Sequence, residues 1–193
     1  MKSVCVFCGS SLGAAPEYSE MARKTGETIA KAGLTLVYGG ASVGLMGIVA
    51  DGALEHGGKV VGVLPKHLQD KEIGHKGLSE LHIVGSMHER KTLMAELSDG
   101  FVALPGGAGT MEEIFEVWTW GQLGLHNKPC GFLNVLGFYD GLISFFDLQT
   151  SEGFMKPVMR DMVQVADTPQ SMLDKFRKYE PPATPKWIKP GET

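Results

Sequence analysis

The densest chemistry in the chain lies in ten consecutive residues, Leu104-Pro105-Gly106-Gly107-Ala108-Gly109-Thr110-Met111-Glu112-Glu113. Before them, Phe101 to Leu104 is a short apolar run that reads as a buried strand. After them, Ile114, Phe115, Val117, Trp118 and Leu123 recur at roughly helical spacing. A helix is predicted over 111–124, with Thr110 as its N-cap. Glycines let a ligand approach the backbone closely, and the free N–H groups of a first helical turn attract anions. A strand, a glycine loop and a helix in this order therefore make a phosphate site. Glu112 and Glu113 suit the helix dipole but repel a phosphate unless they meet another part of the ligand. The pattern points to a phosphorylated molecule held at one end by the loop, with its reacting bond beside a carboxylate. Neighbouring helix residues point about 100° apart, so the two glutamates cannot face that bond equally.

Arg90-Lys91 is the second candidate, on a helix that Ser86 opens. An arginine there can bind phosphate bidentately or pair with a carboxylate. Taken alone, either pair of charges would be an ordinary solvated helix face. Cys5 and Cys8 form a CxxC, but Cys5 falls inside a predicted strand, whereas a redox pair opens a helix. Both read as buried structural cysteines. His67, His75, His82 and His88 match no zinc spacing, so no metal site is expected. No GxSxG elbow, Walker A loop or GxGxxG after the first strand is present. These absences disfavour a serine hydrolase, a P-loop enzyme and a nicotinamide or flavin enzyme.

The elements that must position these residues alternate along the chain. Strands are predicted at 3–7, 34–38, 59–64, 81–84, 101–104, 130–135 and 162–165. Helices are predicted at 16–32, 45–56, 87–97, 111–124, 138–150 and from Thr168-Pro169 to near Lys178. Residues 67–78 are polar and irregular, the length of a lid or substrate loop. The alternation predicts an α/β, Rossmann-like doubly wound parallel sheet of about seven strands with helices on both faces. Residues 1–178 form its single domain, and 179–193 a proline-rich tail. Ligands of such sheets bind beyond the carboxyl ends of the strands. Gly9-Ser10, Gly39-Gly40, Ser86 and Gly106 to Thr110 all fall there. Of Trp118 and Trp120, two apart on a helix, one is expected in the core and the other against a partner helix or the pocket.

Bulk composition narrows the class. The 193 residues are 43% hydrophobic and 21% charged, as in an ordinary globular domain. A net charge of −4 argues against nucleic acid or an anionic membrane as the partner. No apolar run reaches the length of a membrane span, and Val4 to Phe7 is too short for a signal peptide. Three cysteines, an odd number, suggest a reducing cytoplasm.

Pro105 to Glu113 resembles the PGGxGTxxE motif of the LONELY GUY (LOG) family of cytokinin riboside 5′-monophosphate phosphoribohydrolases, often labelled lysine decarboxylases. Cys5-Val6-Phe7-Cys8-Gly9-Ser10-Ser11 is similar to the family's opening strand, and Tyr38 to Gly47 to its second glycine turn. Met87-His88-Glu89-Arg90-Lys91 resembles its MHxRK helix start, and Trp120 to Gly124 the segment after the motif. Ala41 and Ala108 depart from what many relatives carry. The resemblance implies hydrolysis of the N-glycosidic bond between an adenine-type base and ribose 5-phosphate, with no metal or organic cofactor. It implies Arg90 and Glu113 as the catalytic pair; the physical reading agrees, with Arg90 orienting Glu113 and keeping it ionised by lowering its pKa. It places phosphate on Gly106, Gly107, Ala108, Gly109 and Thr110, with Met111 and Glu112 completing the substrate-binding stretch. Lys91 and Glu72 are implied as further substrate contacts, and Ser10, Gly39 and Gly40 as pocket lining. It also implies a homodimer. A non-catalytic carrier of a phosphorylated molecule, like the molybdenum-cofactor carriers that resemble this family, is the competing expectation.

Overall fold

The computed structural model describes residues 1–70 and 74–182. Seven strands form one sheet: β1 (Ser3–Phe7), β2 (Thr35–Tyr38), β3 (Val60–Pro65), β4 (Glu80–Val84), β5 (Phe101–Ala103), β6 (Cys130–Leu133) and β7 (Val163–Ala166). Their order is β4-β3-β2-β1-β5-β6-β7, and every pairing is parallel. The chain winds outward from β1 to β4, then returns to β5 on the other side of β1. The direction of winding therefore reverses between β1 and β5, where such sheets bind ligands.

Strand residues alternate between two cores, because successive side chains of a strand point to opposite faces. Val4, Val6, Leu36 and Val102 pack with α1 (Pro16–Lys31), α2 (Gly44–Leu54) and α8 (Pro169–Lys178). Cys5, Phe7, Val37 and Ala103 pack on the other face with α4 (Met87–Glu96), α5 (Ala108–Gln122) and α6 (Asp140–Ser151). All three cysteines are free and buried. Burial raises the thiol pKa of Cys5 and Cys8, so neither is the thiolate that redox chemistry needs.

The predicted strands and long helices are present, with ends displaced by a few residues. α5 starts at Ala108, three residues before the predicted start. Its N-cap is Gly107, with no side-chain cap, so Thr110 sits within the first turn. The last strand lies one residue later than predicted. Among the described residues three short helical elements were not foreseen: α3 (Lys66–Gln69), inside the predicted irregular loop, a 3-10 turn at Val135–Gly137, and α7 (Pro157–Asp161), which Pro157 opens at its first position. Trp118 is in the core and Trp120 is half-buried against the same cluster. Among the described residues, no helix is long and apolar enough to cross a membrane.

Candidate active site

The predicted residues converge at the carboxyl edge of the central strands. The glycine loop is pinned there by backbone bonds. Leu104 N donates to Phe7 O at 2.9 Å, Gly9 N to Pro105 O at 3.1 Å, and Leu45 N to Gly9 O at 3.0 Å. The Tyr139 hydroxyl donates to the Leu104 carbonyl at 2.6 Å, tying the start of α6 to the end of β5. Gly107 is extended, with φ −91° and ψ −159°. The first N–H groups of α5 have no partner within the helix and face whatever lies ahead of it. A Cβ added at Gly107 or Gly109 would meet open space, so protein packing does not require glycine at either position. Bare backbone with room in front of it is what a phosphate needs.

α4 faces this loop. Ser86 caps it by accepting from Glu89 N at 3.1 Å, and the Glu89 carboxylate accepts from Gly85 N at 2.7 Å. This reciprocal cap fixes the first turn and so aims Arg90. The Arg90 guanidinium is buried. Its Nε donates to the Val63 carbonyl at 3.1 Å and its Nη1 to Glu113 Oε1 at 3.0 Å. A Cβ at Gly39 would collide with Nη2 of Arg90, so glycine there makes the slot that the guanidinium fills. The Glu113 side chain is 11% exposed. Its pKa is raised: burial pushes it up, and Arg90 opposes that without cancelling it. Arg90 lowers the pKa as expected, but desolvation of the carboxylate outweighs that one neighbouring cation and the net shift is upward.

Glu112 points another way, as the helical offset requires. Lys91 Nζ contacts Glu112 Oε1 at 2.5 Å and Glu116 Oε2 at 2.9 Å. Burial pushes the Lys91 pKa down, but the bonds to Glu112 and Glu116 outweigh it and the net shift is upward. The ammonium thus offsets two carboxylates close to the glycine loop. Ser10 lines a cavity of about 280 Å³ that includes Gly106 and Gly107 of the glycine loop. Arg90 and Glu113 are not among its lining residues. Gly40 follows Gly39 at φ +78° in the turn under Arg90. Thr110 is buried and packs beneath Gly106. Glu72 lies outside the described residues. Among the described residues, no group of three or more His, Cys, Asp or Glu side chains could hold a metal ion. The Val63 carbonyl and Tyr139 were not anticipated: the first has no side-chain signature, and the second reads as one more core aromatic.

Residues 46–176 match the family described as "Possible lysine decarboxylase". A cytokinin riboside 5′-monophosphate phosphoribohydrolase of Rhodococcoides fascians is 53% identical over 165 residues, 85% of this chain and 83% of that protein. The phosphoribohydrolase LOG7 of Arabidopsis thaliana, of the same name, is 47% identical over 181 residues, 93% of this chain and 83% of that protein. The chain belongs to the LOG family. Among solved structures, the molybdenum cofactor carrier protein of Chlamydomonas reinhardtii superposes with a TM-score of 0.68 at 24% identity, covering 92% of this chain and 96% of that one. That likeness shows the fold alone.

Proposed function

We propose that this LOG-family protein hydrolyses the N-glycosidic bond of adenosine 5′-monophosphates, N6-substituted or plain, releasing free base and ribose 5-phosphate. The observation that carries this reading is the buried Arg90–Glu113 pair one turn beyond an open phosphate loop. Glu113 follows Gly109 by four residues, roughly 6 Å along the helix axis, which is about the span of a ribose. With the 5′-phosphate on the first turn of α5, C1′ comes beside the carboxylate.

In the reaction the C1′–N9 bond breaks and its electron pair leaves with the base. Water oxygen bonds to C1′, and a water proton ends on the departing base. The transition state carries positive charge on the ribose. The Glu113 carboxylate stabilises that charge and accepts a proton from the attacking water. A carboxylate raised toward neutrality by burial is a stronger base than an exposed one. Arg90 orients it and limits the rise. The lysine decarboxylase label asks for different chemistry: a Schiff-base lysine with partners for the phosphate and pyridinium of a pyridoxal cofactor. Lys91, the buried lysine nearest the site, is engaged by Glu112 and Glu116 instead. A homodimer is part of the proposal; Ile83 on β4 and Met87 at the start of α4, both apolar and exposed, offer it surface.

The experiment follows free base and ribose 5-phosphate chromatographically after incubation with AMP and with isopentenyladenine riboside 5′-monophosphate. Wild type and Glu113→Ala are compared. Release by wild type and its loss in the variant support the hydrolase. Binding of AMP without release by wild type overturns it in favour of a carrier.

A further inference from the structure

We propose that His75 and Asp51 form a positioning latch that holds the Arg90 slot in its working shape; the inference rests on the hydrolase reading above. The slot has a floor and a wall. Its floor is the Gly39-Gly40 turn, where a Cβ at Gly39 would strike the guanidinium. Its wall is the Val63 carbonyl, which accepts from Arg90 Nε at 3.1 Å. The two are themselves in contact: a Cβ at Gly40 would lie 3.3 Å from Val63 N and 3.2 Å from Leu64 Cβ. Play in the glycine turn is therefore play in the arginine.

The turn is short, glycine-rich and at the end of a strand, so it needs an outside support. The segment beginning at Gly74 supplies one. Gly74 forms an isolated antiparallel bridge with Ala41, and His75 N donates to Gly40 O at 2.9 Å. These bonds bind the segment to the turn only as firmly as the segment is itself held. The His75 side chain holds it. Nδ1 accepts from Gly77 N at 3.0 Å, so the neutral ring carries its proton on Nε2. Nε2 donates that proton to Asp51 Oδ1 on α2 at 3.0 Å. The imidazole is 13% exposed, while Asp51 is 47% exposed on the helix surface. The path runs from a rigid helix through one imidazole to the backbone under the guanidinium. Neither residue reaches the phosphate loop by this path. The latch acts on the catalytic pair and not on phosphate binding.

The test uses His75→Ala, Asp51→Leu and Asp51→Asn in the full chain. Because Asp51 is surface-exposed, its replacement leaves the core intact and keeps the proposal testable if His75→Ala fails to fold. kcat and KM for AMP are measured, together with the hydrogen-exchange rate of the Arg90 Nε–H by side-chain NMR. Expected for His75→Ala and Asp51→Leu is a fall in kcat of about tenfold to a hundredfold, as for a displaced catalytic group, with KM within about twofold. Exchange at Arg90 Nε–H accelerates in both. The double variant is no worse than either single one, because both break the same link. Asp51→Asn keeps an acceptor oxygen and restores most of kcat. A lowered melting temperature with unchanged kcat and unchanged Arg90 exchange overturns the proposal and leaves His75 a purely structural residue. If wild type releases no base, the hydrolase reading fails, and the exchange comparison still decides the latch.

Discussion

Arg90 Nη1 donates to Glu113 Oε1 at 3.0 Å from one helix to the next, with both side chains about nine-tenths buried. The pair joins α4 to α5 at their N-terminal ends, above the sheet edge. Its electrostatic balance sets a pH dependence. Burial raises the Glu113 pKa, Glu112 raises it further, and Arg90 and Lys91 lower it. The charge of this carboxylate adds to burial in raising the thiol pKa of Cys5 and Cys8, and both stay protonated. In Arg90→Met the larger lowering influence is gone, so the pKa climbs higher. Less Glu113 is then ionised at any given pH. The acid limb of the kcat/KM profile shifts to higher pH by about one unit or more, as expected for losing an adjacent cation. A pH profile of AMP hydrolysis checks this; a shift to lower pH, or none, contradicts the balance.

Gly107 and Gly109 separate the needs of the fold from those of the ligand. Neither would crowd the protein if it carried a methyl group. Gly109 lies in the first turn of α5, where alanine is a better helix former than glycine. Gly109→Ala is expected to melt at an equal or higher temperature than wild type. The same methyl group occupies space in front of the first-turn N–H groups. KM for AMP should rise about tenfold or more in Gly107→Ala and Gly109→Ala, about 1.4 kcal/mol of lost binding. Calorimetry of unfolding alongside steady-state kinetics checks both. A stable variant with unchanged KM would mean that the phosphate sits elsewhere.

Gly39→Ala makes the opposite demand. Its methyl group collides with the Arg90 guanidinium and crowds the end of the Met46 side chain. The guanidinium must leave its slot, breaking the bonds to Val63 and Glu113. A fall in kcat of about a hundredfold is expected, because a catalytic group moved by about 1 Å costs that much. Gly39→Ala combined with Arg90→Ala should be little slower than Arg90→Ala alone, since both act through one group. Additive losses in that cycle would show a separate role for Gly39.

Much of the site was legible because its chemistry is local in the chain. The glycine loop, Glu112 and Glu113 occupy one unbroken stretch, and Ser86 with Glu89 announces the start of α4. That Arg90 meets Glu113 and Lys91 meets Glu112 and Glu116 needed the crossover geometry of β5 between the two helices. The switch point between β1 and β5 likewise comes from strand order, which local periodicity does not contain. Thr110 misled because a threonine before an apolar helix is a good cap, yet Gly107 can start the helix earlier with its N–H groups left open for a ligand. The lowering influence of Arg90 on Glu113 was legible, but its being outweighed by burial was not, because burial is a property of the folded neighbourhood. The Asp51–His75 contact joins residues 24 positions apart through a pairing with no motif to mark it.

Lys91 is nearly as buried as Arg90 but does a different task. Its ammonium lies between Glu112 and Glu116, on the second and third turns of α5. Without it, two carboxylates would face an incoming phosphate on the same helix, with only the dipole and N–H groups to offset them. Lys91→Met keeps the aliphatic stem and removes the charge. KM for AMP should rise about tenfold, on the order of the repulsion between unit charges some 8 Å apart at an effective dielectric of about 30. kcat should change far less, because Glu113 keeps Arg90. Salt screens exposed charges, and Glu112 is 55% exposed, so the gap in KM should narrow between low salt and about 0.5 M salt. Steady-state kinetics at two ionic strengths make the distinction. A large fall in kcat with KM unchanged would instead place the Lys91 ammonium at the reacting bond.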